Sequence, residues 1–197
     1  MARRLVTPLA DSWVTPNHLT TLRLCVGLAA AAAFVPGTYG WSNLAALFLV
    51  CSNFLDHTDG ELARISGKSS RTGHLYDLAS DAVVTVLLFV SIGMGLDSKP
   101  GSDSGAAPAF LGVLAGVSIA LIFYWRMRNE DLLGKRASRQ ASVAGFETED
   151  VLYLLPLATL ANALAPLLLA AAIFGPLYAA WVAVGHLRVR RACRVPE

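Results

Sequence analysis

Long apolar stretches alternate with short polar connections along the chain, and this pattern is typical of helices that cross a membrane. The apolar stretches cover residues 17–35, 41–54, 75–96, 106–125, 149–163 and 167–187. A chain of 197 residues accommodates about six helices of roughly 20 residues each, with short connections between them. We therefore predict an all-α polytopic membrane protein with six transmembrane helices, folded as a single membrane domain over residues 1–197.

Composition supports this class of protein. Apolar residues make up 55% of the chain and charged residues 15%, and the mean hydropathy is +0.53. These values exclude a disordered chain and argue against a soluble enzyme. The three cysteines are widely separated and lack metal-binding spacing, so we expect them to pack as ordinary apolar side chains. The net charge of +2 is unremarkable in size, and we expect no nucleic-acid partner.

The basic residues indicate an orientation, because short cytoplasmic loops collect positive charge. Fifteen of the 16 lysines and arginines fall on one predicted side, and Lys99 alone falls on the other. Arg23 is counted here with the N-terminal group of charges. Both termini are therefore predicted to be cytoplasmic, as an even number of spans requires. Residues 1–16 mix basic and bulky apolar side chains, which favours a short interfacial helix over a plain linker.

Four aspartates interrupt the apolar pattern: Asp56, Asp59, Asp77 and Asp81. Ionisable residues at a membrane are costly and usually mark a functional site. Spacings of three and four residues place each pair on one face of a helix, so two neighbouring helices can direct their carboxylates at one point. Such carboxylates repel one another unless a cation neutralises them, and oxygen ligands suit Mg²⁺ or Mn²⁺. A solvated loop is the alternative interpretation.

Small residues and an arginine accompany the acids. Gly60, Ala63 and Gly73 remove side-chain bulk, so a large ligand can approach the backbone closely. Arg64 can present a planar pair of donors to phosphate oxygens. A divalent cation, small residues and an arginine together indicate a diphosphate site.

Residues 56–81 match a family signature at eight fixed positions, and there the chain resembles the CDP-alcohol phosphotransferases. The matching residues are Asp56, Asp59, Gly60, Ala63, Arg64, Gly73, Asp77 and Asp81. Residues 16–23 also look like the start of the family's first helix, and six spans fit the whole chain. The match is specific mainly within the signature.

The resemblance implies an integral membrane enzyme, usually a homodimer, that transfers a substituted phosphate from a CDP-alcohol to a second alcohol and releases CMP. It implies that Asp56, Asp59 and Asp77 hold two divalent metal ions with help from Asp81, and that Asp81 is also the general base. The residues implied to line the CDP pocket are Gly60, Ala63, Arg64 and Gly73. We expect CDP-diacylglycerol as the donor, and a prokaryotic cytoplasmic membrane with the active site facing the cytoplasm.

The acceptor is less defined by the sequence. The basic cluster of Arg126, Lys135, Arg136 and Arg139 can bind the phosphate of a polyol such as glycerol phosphate or inositol phosphate. Alternatively, it only satisfies the positive-inside bias or holds anionic lipid head groups. Two other functions stay open: a transferase that uses a soluble CDP-polyol donor or a lipid acceptor, and a divalent-cation transporter.

The fourth span carries a step of small residues at Gly112 and Gly116, which permits close helix contact. This step can form a homodimer face or an intramolecular contact, and the sequence does not choose between them.

Overall fold

The computed structural model describes residues 7–9, 12–67, 70–98, 107–133 and 150–192, and the regular structure within these ranges is entirely helical. Six α-helices follow one another along the chain. They are α1 (Pro16–Phe34), α2 (Tyr39–Ser66), α3 (Arg71–Asp97), α4 (Ala107–Leu133), α5 (Asp150–Leu160) and α6 (Leu164–Ala192). The predicted all-α class with six helices is confirmed.

Three of the described helices are long and apolar enough to cross a membrane, over Thr72–Asp97, Ala107–Asn129 and Leu164–Arg190. Within the described residues α5 covers Asp150–Leu160, and residues 134–149 before it lie outside them. The chain is an integral membrane protein, and helices within the described residues support three of the six expected spans.

The helices that carry the aspartates extend well beyond the predicted apolar stretches. α2 continues to Ser66 and α3 begins at Arg71, so all four acids lie on helices and the solvated-loop interpretation is wrong. Gly67 ends α2 with a φ of 66°, a left-handed conformation that glycine adopts without strain. Ser70 then caps α3 by accepting a hydrogen bond from the Gly73 amide at 3.0 Å.

α1 lies between α2 and α3 and packs against both. Within the described residues, the backbones of α2 and α3 do not contact each other. α4 packs against α3 and α6, and α5 packs mainly against α2. The buried core joins these helices through small and large apolar side chains, among them Ala30, Phe34, Leu49, Leu88, Phe89, Ile119, Leu155 and Leu168. This core lies along the middle of the bundle and leaves one end of α1, α2 and α3 for polar groups.

The small-residue step on α4 faces inward. A Cβ atom built on Gly112 would lie 2.3 Å from the Phe89 carbonyl oxygen, and one on Gly116 would lie 2.8 Å from the Val86 Cα. Both glycines therefore pack against α3. The intramolecular alternative is confirmed, and these two glycines do not form a dimer face.

The N-terminal segment is described only in part. Thr7–Leu9 form one 3₁₀ turn, and residues 12–15 are not helical. The expected interfacial helix is thus limited to a single turn among the described residues, and the other N-terminal residues lie outside them. Trp13 is 83% exposed, and its ring lies 5.5 Å from the ring of His18.

Candidate active site

The aspartates converge as the spacing predicts. Asp56 and Asp59 on α2 and Asp77 on α3 each present a carboxylate oxygen, and these atoms lie within 4.8 Å of one another. Asp81 does not belong to this group. It lies one turn further along α3 and is joined to Asp56 and Asp77 through a shared hydrogen-bond donor, Arg23. The structure therefore separates a set of three acids from a fourth neighbour.

Arg23, which in the sequence counts with the N-terminal group of basic residues, lies at the centre of this cluster. The residue is 4% exposed. Its Nη1 donates to Asp56 and, at 2.7 Å, to Asp81, and its Nη2 donates to the Asp77 carboxylate at 2.8 Å. A buried arginine persists when its charge and its donors are satisfied in this way. Thus α1 supplies the cation that holds the acids of α2 and α3 together.

Burial differs among the four acids. Asp59 is only 5% exposed and accepts a hydrogen bond from the Thr20 hydroxyl at 2.9 Å. Burial, together with the nearby charge of Asp77, raises the pKa of Asp59 to about 7. The side chains of Asp56, Asp77 and Asp81 are 34–42% exposed. The cluster is therefore closed on the Asp59 side and open to ligands on the other.

The chemistry of this donor set fits a hard divalent cation. All three grouped ligand atoms are carboxylate oxygens, which Mg²⁺ and Mn²⁺ prefer. His57, which flanks the cluster, contacts the Asn53 carbonyl of its own helix at 3.0 Å and does not belong to the group. Burial disfavours the ionised form of Asp59, and a nearby cation would favour it.

The predicted CDP-pocket residues lie on the two helices that carry the aspartates, α2 and α3. A Cβ atom built on Gly73 would lie 2.9 Å from Asn17 Oδ1, so the first turn of α1 approaches α3 closely there. At Gly60 the nearest atom to an added Cβ is Arg64 Nη2 at 3.9 Å, which leaves open space. Arg64 itself has a side chain that is 76% exposed and pairs with Glu61 at 3.6 Å. Ala63 is half-buried beside it.

The predicted acceptor cluster is described only at Arg126, a half-buried residue of α4. Lys135, Arg136 and Arg139 lie outside the described residues. One turn beyond Arg126, Asn129 is buried and lies 2.7 Å from Nδ1 of the buried His186 on α6. This polar pair joins α4 to α6.

Sequence reasoning missed the roles of Arg23 and Thr20. The signal for Arg23 was present, because it is the one lysine or arginine in α1 and directly precedes a long apolar run, and a charge inside such a helix usually faces polar partners. Thr20 lies one turn before Arg23 on the same face. Its contact with Asp59 depends on how α1 and α2 pack, which the sequence pattern does not specify.

The described fold is helical, with apolar helices of membrane length and an open carboxylate cluster at one end of the bundle. These features define an integral membrane protein with a polar site at its surface. Residues 13–189 match the CDP-alcohol phosphatidyltransferase family. The chain belongs to this family, and the resemblance seen in the signature is confirmed.

Several known proteins are similar to the chain. The archaetidylinositol phosphate synthase of Pyrococcus horikoshii is 33% identical over 92 residues, which cover 47% of each chain. Cholinephosphotransferase 1 of Danio rerio is 38% identical over 90 residues, covering 42% of this chain and 23% of that protein. The chain thus spans less than half the length of these curated relatives.

The similarity of fold extends further than the similarity of sequence. The crystal structure of the Mycobacterium tuberculosis phosphatidylinositol phosphate synthase with CDP-DAG bound matches with a TM-score of 0.63. The match covers 98% of this chain and 93% of that one, at 18% sequence identity. It supports the same overall helical fold.

Proposed function

We propose that this protein transfers a substituted phosphate group from a CDP-alcohol, with CDP-diacylglycerol as the donor, to the hydroxyl of a second alcohol and releases CMP. The observation that carries the proposal is that the aspartates of the family signature lie close together in the structure. Three signature aspartates present oxygens within 4.8 Å of one another, and the fourth, Asp81, lies beside them with a side chain that is 42% exposed.

Asp56, Asp59 and Asp77 would hold the divalent cations, taken as two Mg²⁺ or Mn²⁺ ions, with help from Asp81. Bound there, the cations would neutralise the diphosphate oxygens and stabilise the charge that develops on the departing CMP. The chain's own residues supply the rest. Gly60, Ala63, Arg64 and Gly73 would line the CDP pocket, where the exposed guanidinium of Arg64 is available to phosphate oxygens.

Asp81 is proposed to be the general base that takes the proton. The acceptor hydroxyl forms the new bond to phosphorus, the bond from phosphorus to the CMP oxygen breaks, and the hydroxyl proton passes to an Asp81 carboxylate oxygen. One Asp81 oxygen accepts from Arg23 at 2.7 Å, so the other oxygen is the one available to the acceptor. Removing a general base of this kind lowers kcat by about 10²- to 10⁴-fold.

The acceptor is proposed to be a phosphorylated polyol, such as glycerol phosphate or inositol phosphate. Arg126, Lys135, Arg136 and Arg139 would bind its phosphate. We further propose that the whole chain acts as one membrane domain, that it forms a homodimer, and that the site faces the cytoplasm of a prokaryotic cell.

The reaction is tested by CMP release from the detergent-purified full chain, given CDP-diacylglycerol and Mg²⁺ with a panel of acceptors: glycerol phosphate, inositol phosphate, serine and inositol. Asp81→Asn is expected to abolish release that depends on one acceptor. Asp97→Asn is the matched control, because it makes the same change on α3 about 24 Å further along the helix axis. Activity in Asp81→Asn equal to that of the wild type would refute the role of Asp81, and failure of CDP-diacylglycerol to bind would refute the donor.

Orientation is tested separately. A cysteine placed at the exposed Thr72, in a chain lacking its native cysteines, is expected to react with a membrane-impermeant maleimide only after the cells are opened. Labelling of intact cells would place this end of the bundle outside the cytoplasm.

A further inference from the structure

Arg23 makes an unusual set of contacts for a residue in an apolar helix. Its two terminal nitrogens donate to three carboxylates and also, at 3.1 Å, to the backbone carbonyl of Asp77. Each of Asp56, Asp77 and Asp81 gives one oxygen, its Oδ1, to this guanidinium. The second oxygen of each of these carboxylates accepts no hydrogen bond from Arg23 in the described part of the chain.

Asp59 completes the set without touching Arg23. Its Oδ2 accepts from Thr20, which precedes Arg23 by one turn of α1. The same face of α1 therefore contacts all four acids, and it leaves at least one oxygen of each for another ligand. A planar guanidinium is suited to this task, since its donors are fixed in one plane, whereas an ammonium group concentrates its charge at one point.

The backbone of α1 is fixed at this level from both sides. The hydroxyl of Ser52 on α2 donates to the Arg23 carbonyl at 3.1 Å. One turn later, a Cβ atom on Gly27 would lie 2.8 Å from both methyl groups of Val84 on α3. Because α1 is held this closely to its neighbours, the buried guanidinium has little room to leave the cluster unless the helices separate.

From these contacts we infer that Arg23 is a positioning residue of the site. It stays bound to one oxygen of Asp56, Asp77 and Asp81 when divalent cations bind, and so presents the remaining carboxylate oxygens to them in a fixed arrangement. The inference rests on the proposed function, which makes the acids the cation ligands. The rival account is that Arg23 is only a substitute cation, which divalent ions displace.

Metal affinity separates the two accounts. Arg23→Lys keeps the positive charge but removes the planar guanidinium, and only the positioning role depends on the shape of that group. Mn²⁺ binding to the detergent-purified full chain is measured by electron paramagnetic resonance for the wild type and for Arg23→Lys. Arg188→Lys is the matched control, since it makes the same change at an exposed position of α6. We expect Arg23→Lys to weaken Mn²⁺ binding by about 10- to 100-fold and Arg188→Lys to leave it unchanged. Equal or tighter binding by Arg23→Lys would overturn the inference.

Thermal unfolding in EDTA and in Mg²⁺ gives a second test. If Arg23 stays in place, Arg23→Lys lowers the melting temperature by a similar amount in both solutions. If Mg²⁺ displaces Arg23 in the wild type, the difference disappears in Mg²⁺, and this would overturn the inference. A variant that folds in neither solution agrees with the inference, while one that folds only with Mg²⁺ contradicts it.

The wild type and Asp59→Asn distinguish this inference from the proposed function. If the wild type binds Mn²⁺ and Asp59→Asn abolishes this binding, the cation site is supported. If Arg23→Lys then binds Mn²⁺ as tightly as the wild type, only the role of Arg23 is refuted. If the wild type binds no Mn²⁺, both the cation site and the inference are wrong.

Discussion

The packing of Gly112 allows a quantitative test of how the helices that carry the site are supported. In Gly112→Ala the added methyl carbon would lie 2.3 Å from the Phe89 carbonyl oxygen and 3.0 Å from the Val90 Cα. Both atoms belong to the backbone of α3, so no side-chain rotation relieves the contact. Ordinary contact begins at 3.4 Å, and α4 must therefore move about 1 Å away from α3 in a closely packed interior.

Overpacking of this kind costs about 1–3 kcal/mol, and we take the upper end because the opposing atoms are backbone. Replacing a helical glycine by alanine returns about 1 kcal/mol through helix propensity. The net loss of about 2 kcal/mol corresponds to a fall of about 4–8 °C in melting temperature for a chain of this size. Thermal unfolding in detergent, followed by circular dichroism, measures the shift.

Gly40→Ala is the matched control, because nothing lies within 4 Å of a Cβ atom at that position. It is expected to leave the melting temperature unchanged or slightly raised. If Gly112→Ala melts at or above the wild-type temperature, the close contact between α3 and α4 is wrong. If it dissociates a dimer without changing the stability of the single chain, the dimer-face alternative is correct after all.

Three further outcomes follow from the site. Gly60→Ala is expected to weaken binding of the CDP-alcohol donor without lowering the melting temperature, because the nearest neighbour of the added methyl is the flexible end of Arg64 at 3.9 Å. Titration calorimetry measures the donor binding, and thermal unfolding measures the melting temperature. A melting temperature lowered as much as in Gly112→Ala would contradict the open geometry. Thr20→Val removes the hydrogen bond to the buried Asp59 and is expected to destabilise the metal-free chain by about 1–3 kcal/mol. Unfolding in EDTA measures this loss, and an unchanged stability would show that the hydrogen bond contributes nothing. Chelation with EDTA is expected to stop CMP release and added Mg²⁺ or Mn²⁺ to restore it, whereas activity that survives exhaustive chelation would refute the cation-dependent mechanism.

The sequence predicted the parts of the site that depend on helical spacing. Asp56 and Asp59 share a face of one helix, as do Asp77 and Asp81 on the next, and periodicity alone is enough to expect each pair. The family signature then added the small residues. The sequence did not predict how the two pairs would be joined, because that depends on the helix that lies between them.

Arg23 illustrates this limit. In the sequence it is one of three basic residues counted on the N-terminal side, and the charge count gives no sign that it is buried. Its burial follows from the position of α1 between α2 and α3, which is a property of tertiary packing.

The position of α1 has a consequence for how the protein is made. The arginine and the four acids belong to three consecutive helices within residues 16–97, so the ribosome delivers all of them before α4 is synthesised. An unpaired charged residue in a helix that enters a membrane is costly. Because Arg23 emerges first and its partners follow within the next 58 positions along the chain, its guanidinium can meet three of the four carboxylates once α2 and α3 are synthesised. The first three helices can therefore bring the buried arginine together with its partners before the later helices are added, and the acids still exceed this single arginine in charge.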